Sequence, residues 1–427
     1  MTGPSKSARV SRIAAPLAEV LVGDAPVCVE FWDGSRWGPD NPIATIRLRS
    51  KSALQRILWA PGELGVARAF VIGEIDIEGN LIETLRELRS GGQNLRRGWW
   101  MLPRLAASAG RLGVVGGPLS PPPEEIRPRG LRHSLRRDAT AVGHHYDVGN
   151  DFYRLVLGPS MTYSCAHFSE PTKTLTDAQE SKYDIVCRKL GLHERPGMRL
   201  LDVGCGWGSM ALHAASRYDA HVVGVTISKE QFKAASVRVE QAEMADRIEI
   251  RLEDYRQLSG ERFDAISSIG MSEHVGKSRI NEYFSVLSSL LSPRGRLLNH
   301  AISSVGGSKL GSRSFMYRYV FPDGELIDVG DTVLAMEKAG LEVRDTESLR
   351  EHYALTLRHW VANLEENWEA AVALVGAGRA RVWRLYMAGS AVGFEDNGLS
   401  IHQVLGVLPM DDGTSGMPLT RKKWVKD

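Results

Sequence analysis

Gly204, Gly206 and Gly208 alternate in the run Leu200-Leu201-Asp202-Val203-Gly204-Cys205-Gly206-Trp207-Gly208. Alternate glycines strip the Cβ atoms from a turn and let its backbone pass close to a ligand. The apolar residues before the run read as a buried strand and those after it as a helix. That helix would aim its free N–H groups and positive dipole end at the same spot. Position 209 is Ser209, so the spacing is G-x-G-x-G, whereas a dinucleotide-binding turn carries a glycine one place later. The run points to a smaller nucleoside cofactor, with S-adenosylmethionine (SAM) the first candidate. Asp202 stands where a carboxylate meets an amine or a cation, and SAM carries both an α-amino group and a sulfonium. Thr226, with Gln231 one helical turn later, stands where a carboxylate usually holds ribose hydroxyls; both can still hydrogen-bond hydroxyls, without charge. Asp254 follows a third strand, as an acceptor for an adenine amino group or as a solvated loop carboxylate.

The elements that must position these residues alternate strand and helix. Strands are predicted at 199–203, 221–226, 248–252, 263–269 and 296–302. Helices are predicted at 208–217, from Ser228 to about 245, and at 281–291. Repeated βα units imply a mostly parallel sheet with helices on both faces, and ligands beyond the carboxyl ends of its strands. Residues 352–393 read as strongly helical, with Tyr353, Leu357, Trp360, Leu364 and Trp368 on one stripe.

Three regions are expected. Residues 1–102 form a small α+β domain, with strands at 27–31 and 43–48 and helices at 64–72 and 81–88. Residues 103–140 form a linker, because Gly116-Gly117-Pro118 and Pro121-Pro122-Pro123 break regular structure. Arg127, Arg129, Arg132, Arg136 and Arg137 in it read as a solvated connector or as an anionic membrane contact, with Trp99-Trp100 either domain core or interfacial. Residues 141–427 form the catalytic domain.

The 427 residues are 43% hydrophobic and 24% charged, an ordinary soluble balance. A net charge of +2 is too small to argue for nucleic acid, so no nucleic-acid partner is expected. The four cysteines have no metal-ligand spacing. His144-His145 are adjacent and so do not share a helix face, and no HExxH occurs, so no metal is expected. No apolar run approaches the roughly 20 residues that span a bilayer, and the polar residues 1–12 do not read as a secretory signal.

His144-His145-Tyr146-Asp147-Val148-Gly149-Asn150-Asp151-Phe152-Tyr153 and Met161-Thr162-Tyr163-Ser164-Cys165-Ala166 resemble the opening motifs of the cyclopropane-fatty-acyl-phospholipid synthases. The likeness runs on through the glycine turn, Val223 to Ser228, Asp254-Tyr255-Arg256, Gly270-Met271-Ser272-Glu273-His274-Val275-Gly276 and Tyr319 to Gly324. It covers most of 141–410. Within the family the chain is most similar to the actinobacterial branch that makes 10-methylene acyl chains on the way to tuberculostearic acid. The resemblance implies a class I SAM-dependent methyltransferase, Rossmann-like, with a small α+β N-terminal domain for dimerisation or membrane docking. It implies SAM contacts at Tyr163, Ser164, Asp202, Gly204, Gly206, Gly208, Thr226, Gln231, Asp254, Tyr255 and Ile269. It also implies a bicarbonate base cradled by Cys165, Glu273, His300, the backbone of Ile302, and Tyr353.

The implied reaction is methylation of a cis double bond in a phospholipid acyl chain. The resulting carbocation needs a dry pocket, aromatic faces (Tyr163, Tyr353, and Tyr317 or Phe321) and a base. The expected setting is cytoplasmic, peripheral to the inner face of the membrane. The expected partners are an unsaturated phospholipid, a second copy of the chain, and a reductase for a methylene product. A cyclopropane product, a non-catalytic lipid-binding or SAM-sensing protein, and a methyltransferase for soluble acceptors stay open as alternatives.

Overall fold

The structure is a computed structural model that describes residues 15, 18–19, 22–91, 107, 110–111, 113–114, 116–126, 148–170, 173–308, 311, 313–322 and 324–423. Trp99-Trp100, the five linker arginines and the His144-His145 motif lie outside the described residues. The chain divides into two compact units. One comprises Met1–Pro128, Gly311–Pro322 and Trp368–Val392; the other comprises Arg129–Leu310, Asp323–Asn367 and Gly393–Asp427.

In the first unit, β1 (Val27–Glu30), β2 (Arg36–Trp37), β3 (Ala44–Leu48) and β4 (Ile75–Glu78) form a sheet in the order β2-β1-β3-β4, with β1 and β3 parallel. Helices α1 (Lys51–Trp59), α2 (Glu63–Val71) and α3 (Leu81–Gly91) accompany it. Two segments expected in the catalytic domain, 311–322 and 368–392, group here. Specific bonds account for that. Glu63 accepts from the Phe315 N–H at 3.0 Å, and Arg381 lies 3.5 Å from Asp76. The described part of the expected linker is likewise no free connector. Glu125 is buried, takes two hydrogen bonds from Arg68 at 2.7 and 2.8 Å, and accepts from the Tyr319 hydroxyl. Gln55, Arg56 and Trp59 on α1 donate to the carbonyls of Gly117, Ser120 and Gly116.

The second unit holds the strands of the glycine turn. After α4 (Asn150–Leu157) and α5 (Leu175–Leu190), β5 (Arg199–Val203), β6 (His221–Thr226), β7 (Ile248–Leu252), β8 (Phe263–Ile269) and β9 (Leu291–Ser303) pair in parallel. Two further strands, β10 (Glu342–Ser348) and β11 (Ser400–Val407), which the sequence reading missed, extend the sheet antiparallel beside β9. The order is β10-β11-β9-β8-β5-β6-β7. Connections leave β5 toward β6 on one side and reach β8 on the other, so the topological switch lies between β5 and β8, where open α/β sheets bind ligands. The central strands are apolar runs because both faces are covered. Leu201 and Val203 pack into a core with α9 (Ile280–Ser289) and α10 (Val329–Lys338), and Leu200 into one with α5 and α6 (Ser209–Tyr218). α7 (Lys229–Gln241) follows β6 and is capped by Ser228, whose Oγ accepts from the Gln231 N–H.

The C-terminal helical run is three helices: α11 (Arg350–Glu366), α12 (Trp368–Val375) and α13 (Ala377–Glu395), with α8 (Ser272–Val275) earlier in the chain. Tyr353, Leu357, Trp360 and Leu364 are buried on α11 as their spacing predicts. Trp368 leaves that stripe, because α11 stops at Asn367 and Trp368 opens the next helix. No helix among the described residues is long and apolar enough to cross a membrane.

Candidate active site

A pocket opens at the carboxyl ends of β5, β6, β7 and β8. Its lining includes ten of the eleven expected cofactor contacts: Tyr163, Ser164, Asp202, Gly204, Gly206, Thr226, Gln231, Asp254, Tyr255 and Ile269. Gly208 is the exception. It stands at φ +78° as the N-cap of α6, and a Cβ there would meet the Cβ of Ala235 at 3.3 Å, so its task is helix packing. The other two glycines differ as well. A Cβ on Gly204 would fall 2.3 Å from the sulfur of Met271, so this glycine makes room for a side chain rather than a ligand. A Cβ on Gly206 would meet no atom within 4 Å, and only this position keeps backbone open to the pocket.

Asp202 ends β5 fully enclosed. One carboxylate oxygen accepts from Ser267 Oγ on β8 at 2.7 Å; the other, Oδ2, is buried without a hydrogen-bond partner among the described residues. Burial raises its pKa to about 6, against the opposing pull of the Ser267 bond and the nearby Lys182 charge. An unpaired buried carboxylate oxygen is costly, and the α-amino group of an amino-acid cofactor fits it. Thr226 Oγ1 donates to Gln231 Oε1 at 2.9 Å, which fixes both side chains where ribose hydroxyls were expected. Asp254 is not a free acceptor: Arg256 binds both its oxygens, at 2.9 and 2.6 Å, and the Arg256 N–H adds a third bond. Burial would raise this carboxyl, but the bonds and charge of Arg256 prevail and hold it below the usual range. Burial pushes Tyr255 up to about 12.

The expected anion-binding residues lie outside that lining, in the same unit. Glu273, on α8, is buried, and its Oε1 accepts from the Ile302 N–H at 2.7 Å. The N–H expected to serve a bound anion is thus taken by the Glu273 carboxylate. β8 pairs with β9 only as far as Ile269 opposite His300, so the Ile302 amide lies beyond that ladder and the carboxylate takes it. The second oxygen, Oε2, has no partner among the described residues, and burial raises the Glu273 carboxyl to about 7. His274, its neighbour, lines the cofactor pocket instead, with a pKa lowered by burial to about 4.

His300 on β9 is fully buried. Gln403 on β11 donates its amide nitrogen to Nδ1 at 3.1 Å, so the neutral ring carries its hydrogen on Nε2, which has no partner among the described residues. Burial, followed by the charges of Lys182 and Lys189, holds the ring neutral. Cys165 is a buried thiol whose pKa burial drives upward; it donates to the carbonyls of Ala166 and Leu349, at 3.1 and 3.7 Å. The same segment is pinned to α11 where the Ala166 N–H donates to Thr356 Oγ1 and the Phe168 N–H to His352 Nδ1. Tyr353, one turn from Leu349, packs edge-on to Trp360 at 5.9 Å. Trp360 stacks on Tyr163 at 5.3 Å, Tyr163 meets Tyr153 at 5.6 Å, and Tyr153 meets Trp207 at 4.8 Å. A continuous aromatic chain thus joins the glycine turn to Tyr353. Tyr317 and Phe321 belong to the first compact unit.

The fit of the two expected small molecules is unequal. The Asp202, Thr226 and Gln231 set fits SAM. For a protonated anion, the Nε2–H of His300 offers a donor and Oε2 of Glu273 an acceptor, while the Ile302 N–H and the Cys165 thiol are already engaged. Sequence reasoning missed Lys182, Met271 and Gln403. Lys182 had a readable signal, a lysine four residues from both Ala178 and Val186 on the buried stripe of α5.

The sequence profile of mycolic acid cyclopropane synthetases matches residues 133–404. A "Probable fatty acid methyltransferase" of Mycobacterium tuberculosis is 42% identical over 94% of this chain and 97% of its own. The cyclopropane-fatty-acyl-phospholipid synthase of Escherichia coli is 33% identical over 75% of this chain and 84% of its own. The crystal structure of the mycolic acid cyclopropane synthase CmaA1 complexed with SAH and CTAB, 35% identical, covers 63% of this chain and 98% of its own with a TM-score of 0.59. With its mostly parallel seven-stranded sheet and its pocket at the strand ends, the chain belongs to the mycolic acid cyclopropane synthetase family of SAM-dependent methyltransferases.

Proposed function

We propose that this enzyme methylates the cis double bond of oleoyl-type phospholipid chains at a membrane surface and releases a 10-methylene acyl product. The observation that carries the reading is the coexistence of two features in one compact unit. One is a cofactor pocket. The other is two buried side chains, Glu273 and His300, each with a polar atom that has no hydrogen-bond partner among the described residues, in the unit that also holds the aromatic chain from Tyr163 to Tyr353. A pocket that only sensed SAM would have no use for the second feature.

SAM supplies an electrophilic methyl group, and an alkene is a weak nucleophile, so alignment must do much of the work. Asp202, Thr226 and Gln231 hold the cofactor's polar ends. The packed rings of Tyr163, Trp360 and Tyr353 would offer faces that stabilise a cationic carbon without attacking it. Their burial keeps out water, which would trap the cation. His300, Tyr353 and Glu273 would hold bicarbonate, which supplies an oxygen base for the proton that leaves. With a pKa near 7, Glu273 exchanges a proton readily at neutral pH. The methylene product and the oleoyl substrate rest on the motif resemblance to the tuberculostearic branch. The 42% identity to a probable fatty acid methyltransferase across nearly the whole chain favours an acyl-chain substrate.

One incubation tests this: oleoyl phospholipid vesicles with methyl-labelled SAM, then mass and NMR analysis of the released fatty acid. Exomethylene signals at carbon 10 are expected. Ring-methylene signals would replace the product by a cyclopropane, and an unlabelled lipid would overturn the substrate.

A further inference from the structure

Lys182 is fully buried and lines the cofactor pocket, yet none of the roles above uses it. Its Nζ donates to Ser164 Oγ at 2.9 Å and lies 3.8 Å from the centre of the Tyr183 ring. No carboxylate among the described residues comes within 4.0 Å of it. An ammonium kept from water without an anionic partner is rare and costly. Ser164 is held on both sides by α5, since Gln179, three residues before Lys182, donates to the Ser164 carbonyl at 2.9 Å. Asp202 lines the same pocket, and its Oδ2 is buried with no hydrogen-bond partner among the described residues. One buried cation and one buried anion, each with unused bonding capacity, therefore face the same space. A free amino acid end is the ligand chemistry that satisfies both, because its carboxylate and ammonium are of opposite sign on one carbon.

Resting on the cofactor reading above, we infer that Lys182 is a cofactor-binding residue that takes the α-carboxylate of SAM, while Asp202 takes the α-ammonium. Burial lowers the Lys182 pKa to about 7, against the pull of Cys165 and Asp202, so a bound carboxylate would restore its charge. The charge of Lys182 also acts on Cys165, Asp202 and His300.

The test is calorimetric titration of the full chain with S-adenosylhomocysteine and with its decarboxylated analogue, which keeps the amine and the adenosine. The unaltered protein should prefer the carboxylate-bearing ligand by at least tenfold. Lys182→Met should lose that preference, with affinity for the decarboxylated ligand changed less than twofold, and Lys182→Arg should retain part of it. Equal losses for both ligands in Lys182→Met would reduce the lysine to a structural support of Ser164 and overturn the inference. Should Lys182→Met not fold, equal affinity of the unaltered protein for the two ligands overturns it without any variant. Binding of neither ligand to the unaltered protein would instead sink the cofactor reading itself.

Discussion

The cofactor pocket and the Glu273–His300 cluster sit in one compact unit but close their hydrogen bonds differently. Around the pocket most polar side chains satisfy one another: Thr226 with Gln231, Asp254 with Arg256, Ser164 with Lys182. In the cluster, Glu273 Oε2, His300 Nε2 and Gln403 Oε1 are buried with no hydrogen-bond partner among the described residues. Buried polar groups are normally paired, and each exception needs a reason. The pocket is organised for recognition, with side chains held in place before a ligand arrives. The cluster keeps groups of adjustable protonation in a dry place, and this arrangement suits proton transfer. The contrast predicts that damage to the cluster should cost turnover and spare binding.

Glu273→Gln is the strongest way to break the comparison. It keeps the side chain's shape and removes its capacity to ionise. Methyl transfer to lipid should fall about 1,000-fold, within the range for loss of an acid–base group, while S-adenosylhomocysteine affinity stays within a factor of about two on calorimetric titration. A parallel loss of affinity would merge the two regions into one binding site.

The same substitution has a second, smaller signature in stability. The Glu273 carboxyl titrates near 4.5 when unfolded and near 7 when folded, because burial penalises the charge. Between those values the unfolded chain has already released the proton that the folded chain still holds. Stability due to this group is therefore complete at low pH and lost as pH rises toward 7. From pH 5 to pH 8 the unaltered protein should lose about 2 kcal/mol relative to Glu273→Gln, measured as the gap between their urea denaturation curves. A gap that does not change with pH would mean that Glu273 is ionised throughout.

The two regions were unequally legible in the sequence. The pocket is built from strand ends and the turns that follow them, so its residues are announced by short local patterns, and β5 to β8 were read at their observed limits. The cluster depends on non-local contacts. Glu273, His300 and Ile302 could be named by resemblance, but Glu273 taking the Ile302 N–H follows from where β8 stops pairing with β9. β10 was invisible because its seven residues, Glu342 to Ser348, are mostly polar and only Asp345 is fully buried. β11 carries Gln403, whose role appears only once it lies opposite His300. Lys182 was legible in principle as a charge on an apolar stripe. A lysine on an otherwise mixed helix reads as solvated until the opposite face is known to be covered.

The smallest effects come from the glycines, and they separate tasks that their shared spacing conceals. Both Gly204 and Gly206 have left-handed backbone, at φ +74° and +55°, so alanine at either should cost about 1–2 kcal/mol in strain. Gly204→Ala adds a collision with Met271, whose flexible side chain can give way only by moving within the pocket wall. Gly206→Ala meets no protein atom, so its added methyl goes where a ligand would lie. Thermal denaturation should therefore rank Gly204→Ala as the less stable variant. Titration with S-adenosylhomocysteine should reverse the order, with Gly206→Ala losing at least as much affinity despite its milder cost in stability. If both measurements rank the variants alike, the glycines act as one flexible turn, and the distinction between making room for a side chain and making room for a ligand fails.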